Sequence, residues 1–283
     1  MPEEPANNIS GGVGAPAEFV PAEADTRAEA VVDELGQMYW RKAYGGRDAF
    51  ECLVRTILSQ NTSDVASQPA HDSLMERYSS GEARSASETR AGSEATRERS
   101  DLAESLAAAE QSELAETISS AGLYNQKSEM IIGAAERICE EFGGADGFDA
   151  FVTGGDPGEV RERLLDIHGV GPKTADCVLL FSGGRGGVFP VDTHVHRIAR
   201  RMGLAPADAD HEAVREHLER DVPAEKCGFG HTAMIQFGRE YCTARKPACL
   251  DGPEACPLYD LCERVGVDEV EETVVDPADA DAD

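Results

Sequence analysis

The sequence predicts an all-α fold of about ten short helices. Three observations carry that reading. Apolar residues recur at helical spacing along most of the chain, strand-like alternation of β-branched residues is nearly absent, and Gly or Pro marks several segment ends. In chain order, Phe50, Leu53, Val54, Ile57 and Leu58 form an i, i+3, i+4, i+7 stripe. Leu114 and Ile118 belong to the next helix. Met130, Ile131, Ala134 and Ile138 belong to another, which ends before Gly143-Gly144. Val160, Leu164 and Leu165 continue the pattern, then Val178 and Leu179, then Val195 and Ile198. Three stretches lack any apolar period and are expected to be disordered: a tail over 1–24, a Ser-rich surface insertion over 79–100, and a C-terminal tail over 267–283. Asp268 to Asp283 holds eight acids and no base, so it should repel itself and stay solvated.

A chain of 283 residues suits one or two domains with a sizeable core, which rules out a disulfide-stapled miniprotein. The longest purely apolar run is Cys177 to Phe181, too short to span a bilayer. The opening Met-Pro-Glu-Glu-Pro has no secretory signature, so a cytoplasmic protein without membrane association is expected. Asp and Glu number 54 against 26 Lys plus Arg, and only five of those bases are Lys. Such a composition stays hydrated in concentrated salt; a salt-in halophile is the first explanation and an acidic regulator the alternative. Taken alone, a net charge of −28 argues against a nucleic-acid partner.

Local features argue the other way. One helix ends at Ile167 and another starts with Pro172 at its first position, leaving His168-Gly169-Val170-Gly171 between them. Two glycines in four residues permit positive φ and leave backbone N–H groups open at a helix N-terminus. That suits either a tight turn alone or a phosphate site indifferent to base identity. Leu164 to Arg201 has five bases (Lys173, Arg185, Arg197, Arg200, Arg201) against three acids, and Arg239 to Cys249 has three against one. Basic islands in so acidic a chain favour the phosphate. Lys173, second in the helix that the hairpin opens, is either a surface charge or an amine tuned toward neutrality by the helix end, and so a nucleophile. Asp192 precedes a helix, as an N-cap or as a carboxylate that helps such an amine.

The cysteines separate into two sets. Cys52, Cys139, Cys177 and Cys227 lie scattered in apolar helical stretches and read as buried thiols. Cys242, Cys249, Cys256 and Cys262 fall within 21 residues, spaced C-x6-C-x6-C-x5-C. Four thiols so close point to a metal site, zinc or iron–sulfur.

Taken together, these segments resemble the endonuclease III family of helix-hairpin-helix DNA glycosylases. The resemblance rests on Leu165-Asp-Ile-His-Gly-Val-Gly-Pro-Lys-Thr-Ala-Asp176, Val191-Asp-Thr-His-Val195, Gly122-Leu-Tyr-Asn-Gln-Lys127, Ile57-Leu-Ser-Gln-Asn-Thr-Ser-Asp64, and the run from Phe237 through the four cysteines. It covers Ala28 to Arg264 apart from the insertion. The resemblance implies a six-helix barrel domain over 47–186 carrying the hairpin, a cluster domain over 25–46 and 187–266, and a substrate cleft between them. It implies a [4Fe–4S] cluster on Cys242, Cys249, Cys256 and Cys262, although the middle spacing here is x6 where the family uses x2; Asp251-Gly252-Pro253 should form a turn in a longer loop. The implied activity is bifunctional. Lys173 displaces a damaged, oxidised pyrimidine flipped from double-stranded DNA and forms a Schiff base, Asp192 assists, and β-elimination cuts at the abasic site. DNA contacts are expected from Gly169, Val170, Gly171, Arg245 and Lys246, with Gln60 or Asn61 filling the emptied stack. A nucleoid-associated monomer would fit. The alternatives are a monofunctional mispair or oxidised-purine glycosylase, or a noncatalytic iron–sulfur DNA-binding protein.

Overall fold

The computed structural model describes residues 17–40, 45–62, 64–79 and 101–280. Among these, twelve α-helices follow one another, and the extended structure is one antiparallel pair of two-residue strands near the C-terminus. The all-α class is therefore what the periodicity predicts. The chain forms two compact units, one over 45–184 and one from 17–40 with 185–280.

The first unit is built on α2 (Ala49–Ser59), whose Phe50, Leu53, Val54, Ile57 and Leu58 are all fully buried. Around α2 pack α3 (Asp64–Tyr78), α6 (Tyr124–Phe142), α7 (Ala145–Gly154) and α9 (Pro172–Phe181), while α4 (Leu102–Ala107) and α5 (Gln111–Thr117) cover α6. The short α8 (Pro157–Leu165) leads into the glycine hairpin and packs on α9. Abundant aspartates stop and start these helices. Asp48, Asp101 and Asp156 each accept backbone N–H bonds of the first turn, and Asp101 also reaches Ala145 N at 2.8 Å.

In the second unit α1 (Arg27–Met38) and α10 (Thr193–Met202) pack on α12 (Ala224–Glu240), and α11 (His211–Asp221) closes the layer. Val31, Val32, Leu35, Val195, Ile198, Val214, Leu218 and Met234 form its core. Within that core Lys226 is held by Glu29 at 2.6 Å and Asp33 at 2.7 Å, a buried charge offset by two opposite ones.

Two stretches expected to be tails are structured. Phe19 is buried, packs at a tilt of 45° against Phe229 with ring centroids 4.4 Å apart, and lies over Gly36, where any Cβ would run into its ring. Gln37 donates to the Phe19 carbonyl at 2.7 Å and Asp33 accepts from Val20 N at 3.0 Å, so Phe19 joins the core and fixes the stretch around it to α1. At the other end β1 (Val267–Asp268) pairs with β2 (Thr273–Val274), Asp276 pairs with Arg200, and Pro277 is buried. The acidic segment is held there in part because the buried Arg200 and the partly buried Arg264 supply counter-charge to Asp276 and Glu269. Residues 1–16, 80–100 and 281–283 of the expected disordered stretches lie outside the described residues.

Candidate active site

The hairpin between α8 and α9 is fixed from three sides. Gly169 adopts φ +84°, and a Cβ there would lie 2.6 Å from Met130 Sδ. Gln60 Nε2 donates to the Gly169 carbonyl at 3.0 Å and to Thr174 Oγ1 at 3.2 Å. Arg161 and the buried Asp176 clamp α8 to α9 at 2.7 Å. Val170, expected to contact DNA, is buried, and its N–H is committed to the Ile167 carbonyl at 3.0 Å. Gly171 is exposed and begins α9 without a side-chain cap, and Pro172 follows at the first helical position. Lys173 comes next, half-buried in the first turn. A helix N-terminus without a side-chain cap, with a basic side chain in its first turn, attracts an anion.

Two further turns of the same unit expose unusual side chains. α2 ends at Ser59, and Asn61 is exposed at φ +50°. Leu123 precedes α6 at φ +49° and is 58% exposed, next to the exposed Tyr124. The turns are tied together by a bond from Thr62 Oγ1 to the Ala121 carbonyl. Left-handed non-glycine residues cost of order 1–3 kcal/mol each and gather at functional sites. Since Gln60 is engaged with the hairpin, Asn61 is the side chain presented outward. The sequence reading gives Leu123 no role of its own, although it stands in the Gly122–Lys127 segment and is a large apolar residue outside any stripe.

In the second unit Asp192 caps α10, its Oδ1 accepting from His194 N and Val195 N, both at 2.9 Å. The basic island on α10 proves largely internal. Arg197 donates to the Cys242 carbonyl, Arg200 pairs with Asp276, and the fully buried Arg201 donates to the Thr243 carbonyl at 2.8 Å and the Ala244 carbonyl at 3.2 Å. Guanidinium groups satisfy the carbonyls of an irregular loop, which leaves Arg245 and Lys246 exposed on its outer side.

That loop opens the cysteine segment. Cys242, Cys249, Cys256 and Cys262 line one cavity together with Met202, Phe237, Leu258, Arg201 and Arg264. The x6 stretch turns at Gly252, φ +104°, between two 3-10 turns, so the extra residues form a loop and all four cysteines still line the one cavity. Burial pushes the Cys262 thiol up to about 12, so a thiolate there needs a bound cation. Yet among the described residues no three donors are gathered where one metal ion would sit, as a tetrahedral zinc requires. Thiols spread around a shared cavity suit a polynuclear cluster instead. Arg201 Nη1 lies 3.4 Å from Cys242 Sγ, and Arg264 N donates to Cys262 Sγ at 3.3 Å. Of the scattered cysteines, Cys52, Cys177 and Cys227 are buried and Cys139 is partly so.

The sequence profile of the HhH-GPD superfamily of base excision DNA repair proteins matches residues 54–224, and that of the iron-sulfur binding domain of endonuclease III matches 242–262. Endonuclease III of Thermotoga maritima is 30% identical over 76% of this chain and 83% of its own. The chain belongs to the endonuclease III family. Solved structures agree. A non-covalent endonuclease III–DNA complex superimposes with a TM-score of 0.62 at 27% identity, covering 83% of this chain and 92% of that one. A trapped endonuclease III–DNA covalent intermediate gives 0.58 at 25% identity, covering 82% and 92%. The family is one of DNA glycosylases and abasic-site lyases of base excision repair, and its cofactor is a [4Fe–4S] cluster. The second match begins at Cys242 and ends at Cys262, the outer cysteines of the shared cavity.

Proposed function

We propose that this DNA glycosylase is bifunctional, removing oxidised pyrimidines from duplex DNA and cleaving the resulting abasic site by β-elimination. The observation that carries the reading is a lysine at the uncapped N-terminus of α9, directly after the glycine hairpin. A glycosylase that only hydrolyses the base needs no amine there. The neutral amine of Lys173 attacks C1′, the N-glycosidic bond breaks, and the base leaves with the bonding pair. Opening of the sugar gives the Schiff base. Loss of a C2′ proton then expels the 3′ phosphate, and water releases the enzyme. Asp192 carries the charge that stabilises positive charge developing at the sugar, and an N-cap uses only one of its oxygens. Exposed Gly171 offers backbone N–H to a phosphate, and Arg245 and Lys246 offer charge. Asn61 and Leu123 enter the stack as the base leaves it. Cys242, Cys249, Cys256 and Cys262 ligate the cluster, which anchors the loop carrying Arg245 and Lys246.

Borohydride trapping on abasic-site duplex DNA tests this, with Lys173→Gln beside the wild type in molar potassium chloride. A covalent protein–DNA band is expected from wild type alone. Its absence from both, with binding intact, would leave a hydrolytic glycosylase; its presence in the variant would assign the nucleophile elsewhere.

A further inference from the structure

Lys127 is one of five lysines in the chain and is 2% exposed, yet among the described residues it forms no ion pair with an acid. Its ammonium donates to three oxygens: the Leu58 carbonyl at 2.8 Å, Thr62 Oγ1 at 2.7 Å and the Ala121 carbonyl at 2.8 Å. These come from the last turn of α2, the turn after it, and the short 3-10 turn before α6. An ammonium has three donors and here all three are used. Burial without a counter-charge is costly, so the arrangement persists where the three oxygens hold the group in place. The two segments it joins are those that carry Asn61 and Leu123, each left-handed and each exposed. Thr62 Oγ1, which also bonds the Ala121 carbonyl, makes the joint rigid.

We propose that Lys127 is a positioning residue for base extrusion: its ammonium locks the Asn61 turn and the Leu123 turn into one wedge, so that both side chains enter the duplex together. The proposal rests on the reading above only in that the protein unstacks DNA; it does not depend on which base is removed or on the lyase step. Lys127 touches no DNA in this scheme. It acts through the backbone carbonyls and the hydroxyl it holds.

The test uses the full-length holoprotein and a duplex with a tetrahydrofuran abasic analogue, 2-aminopurine being placed opposite it. The analogue cannot form a Schiff base, so the fluorescence rise reports unstacking and not chemistry. Wild type should raise the signal on binding. Lys127→Met and the milder Thr62→Val, which removes one arm of the joint, should lose at least half of the rise while keeping the dissociation constant within about threefold, since phosphate contacts dominate affinity. Lys127→Gln, with two N–H donors, should recover part of it. Thermal melting of each variant separates misfolding from loosening, and Thr62→Val serves if Lys127→Met does not fold. A full fluorescence rise in folded Thr62→Val, or loss of signal in strict proportion to loss of binding, would overturn the proposal. So would a wild type that binds without any rise. Borohydride trapping on the natural abasic site, run in parallel, reports separately on the lyase reading.

Discussion

Asp192 serves two purposes that a pair of substitutions can pull apart. Its Oδ1 accepts two N–H bonds of α10, and its charge faces the positive end of that helix. Asp192→Ala removes both, at roughly 0.5–2 kcal/mol for the cap and 0.3–1 kcal/mol for the charge. Asp192→Asn keeps an equally good cap and loses only the charge share. In a unit of this size a kilocalorie moves the melting point by about 4 °C. The Ala variant should therefore melt about 3–12 °C below wild type and the Asn variant only about 1–4 °C below it. If the carboxylate stabilises charge at the sugar, excision behaves in the opposite way. Both variants should fall by about 10²–10⁴ in single-turnover rate, because an amide carries no charge. The assays are a thermal melt followed at 222 nm and single-turnover excision on a lesion-bearing duplex. An Asn variant that is stable and fully active would reduce Asp192 to a cap and refute the catalytic assignment.

Two further outcomes follow from the first unit. Gly169→Ala places a Cβ against Met130 in left-handed backbone, so roughly 1–3 kcal/mol of stability should be lost and borohydride trapping slowed; Met130→Ala should restore space but not the strain, giving partial rescue. His71 has its pKa brought down to about 4, by burial first and then by the Arg55 charge, against about 6.5 in the unfolded chain. Below pH 6.5 the unfolded chain takes up a proton that the folded one refuses. Stability should therefore fall between pH 6.5 and 4 by no more than about 3 kcal/mol, and His71→Gln should flatten that part of a urea-denaturation profile. Coincident wild-type and His71→Gln profiles would count against it.

The parts of the fold legible in sequence are those whose physics is local. The α2 stripe and the Gly-Val-Gly hairpin with Pro172 behind it announce themselves within about a dozen residues, and the cysteine run within 21. Phe19 did not, since its partners Gly36 and Phe229 lie far along the chain and its neighbours are Pro, Ala, Gly and Glu. The acidic C-terminal segment read as solvated because charge patterning cannot show that Arg200 lies buried beneath Asp276. The same blindness inflated the basic island on α10: counting bases does not show that Arg197, Arg200 and Arg201 face inward. Within the candidate site, short motifs single out Lys173 and Asp192 as the candidates, and their roles rest on the proposal above. The contacts of Gln60 with the hairpin and of Lys127 with the turns at Thr62 and Ala121 join segments far apart in the chain, which no periodicity reveals.

The scarcity of lysine has a practical side. Digestion with a lysine-specific protease would cut this chain after residues 42, 127, 173, 226 and 246 only. An adduct on Lys173 would block one of those five cuts and fuse fragments 128–173 and 174–226 into a single piece. Lys127 and Lys226 are buried, so of the four described lysines only Lys173 and Lys246 are open to an external aldehyde while the protein is folded. A DNA adduct trapped on this chain therefore carries its own address in the fragment pattern.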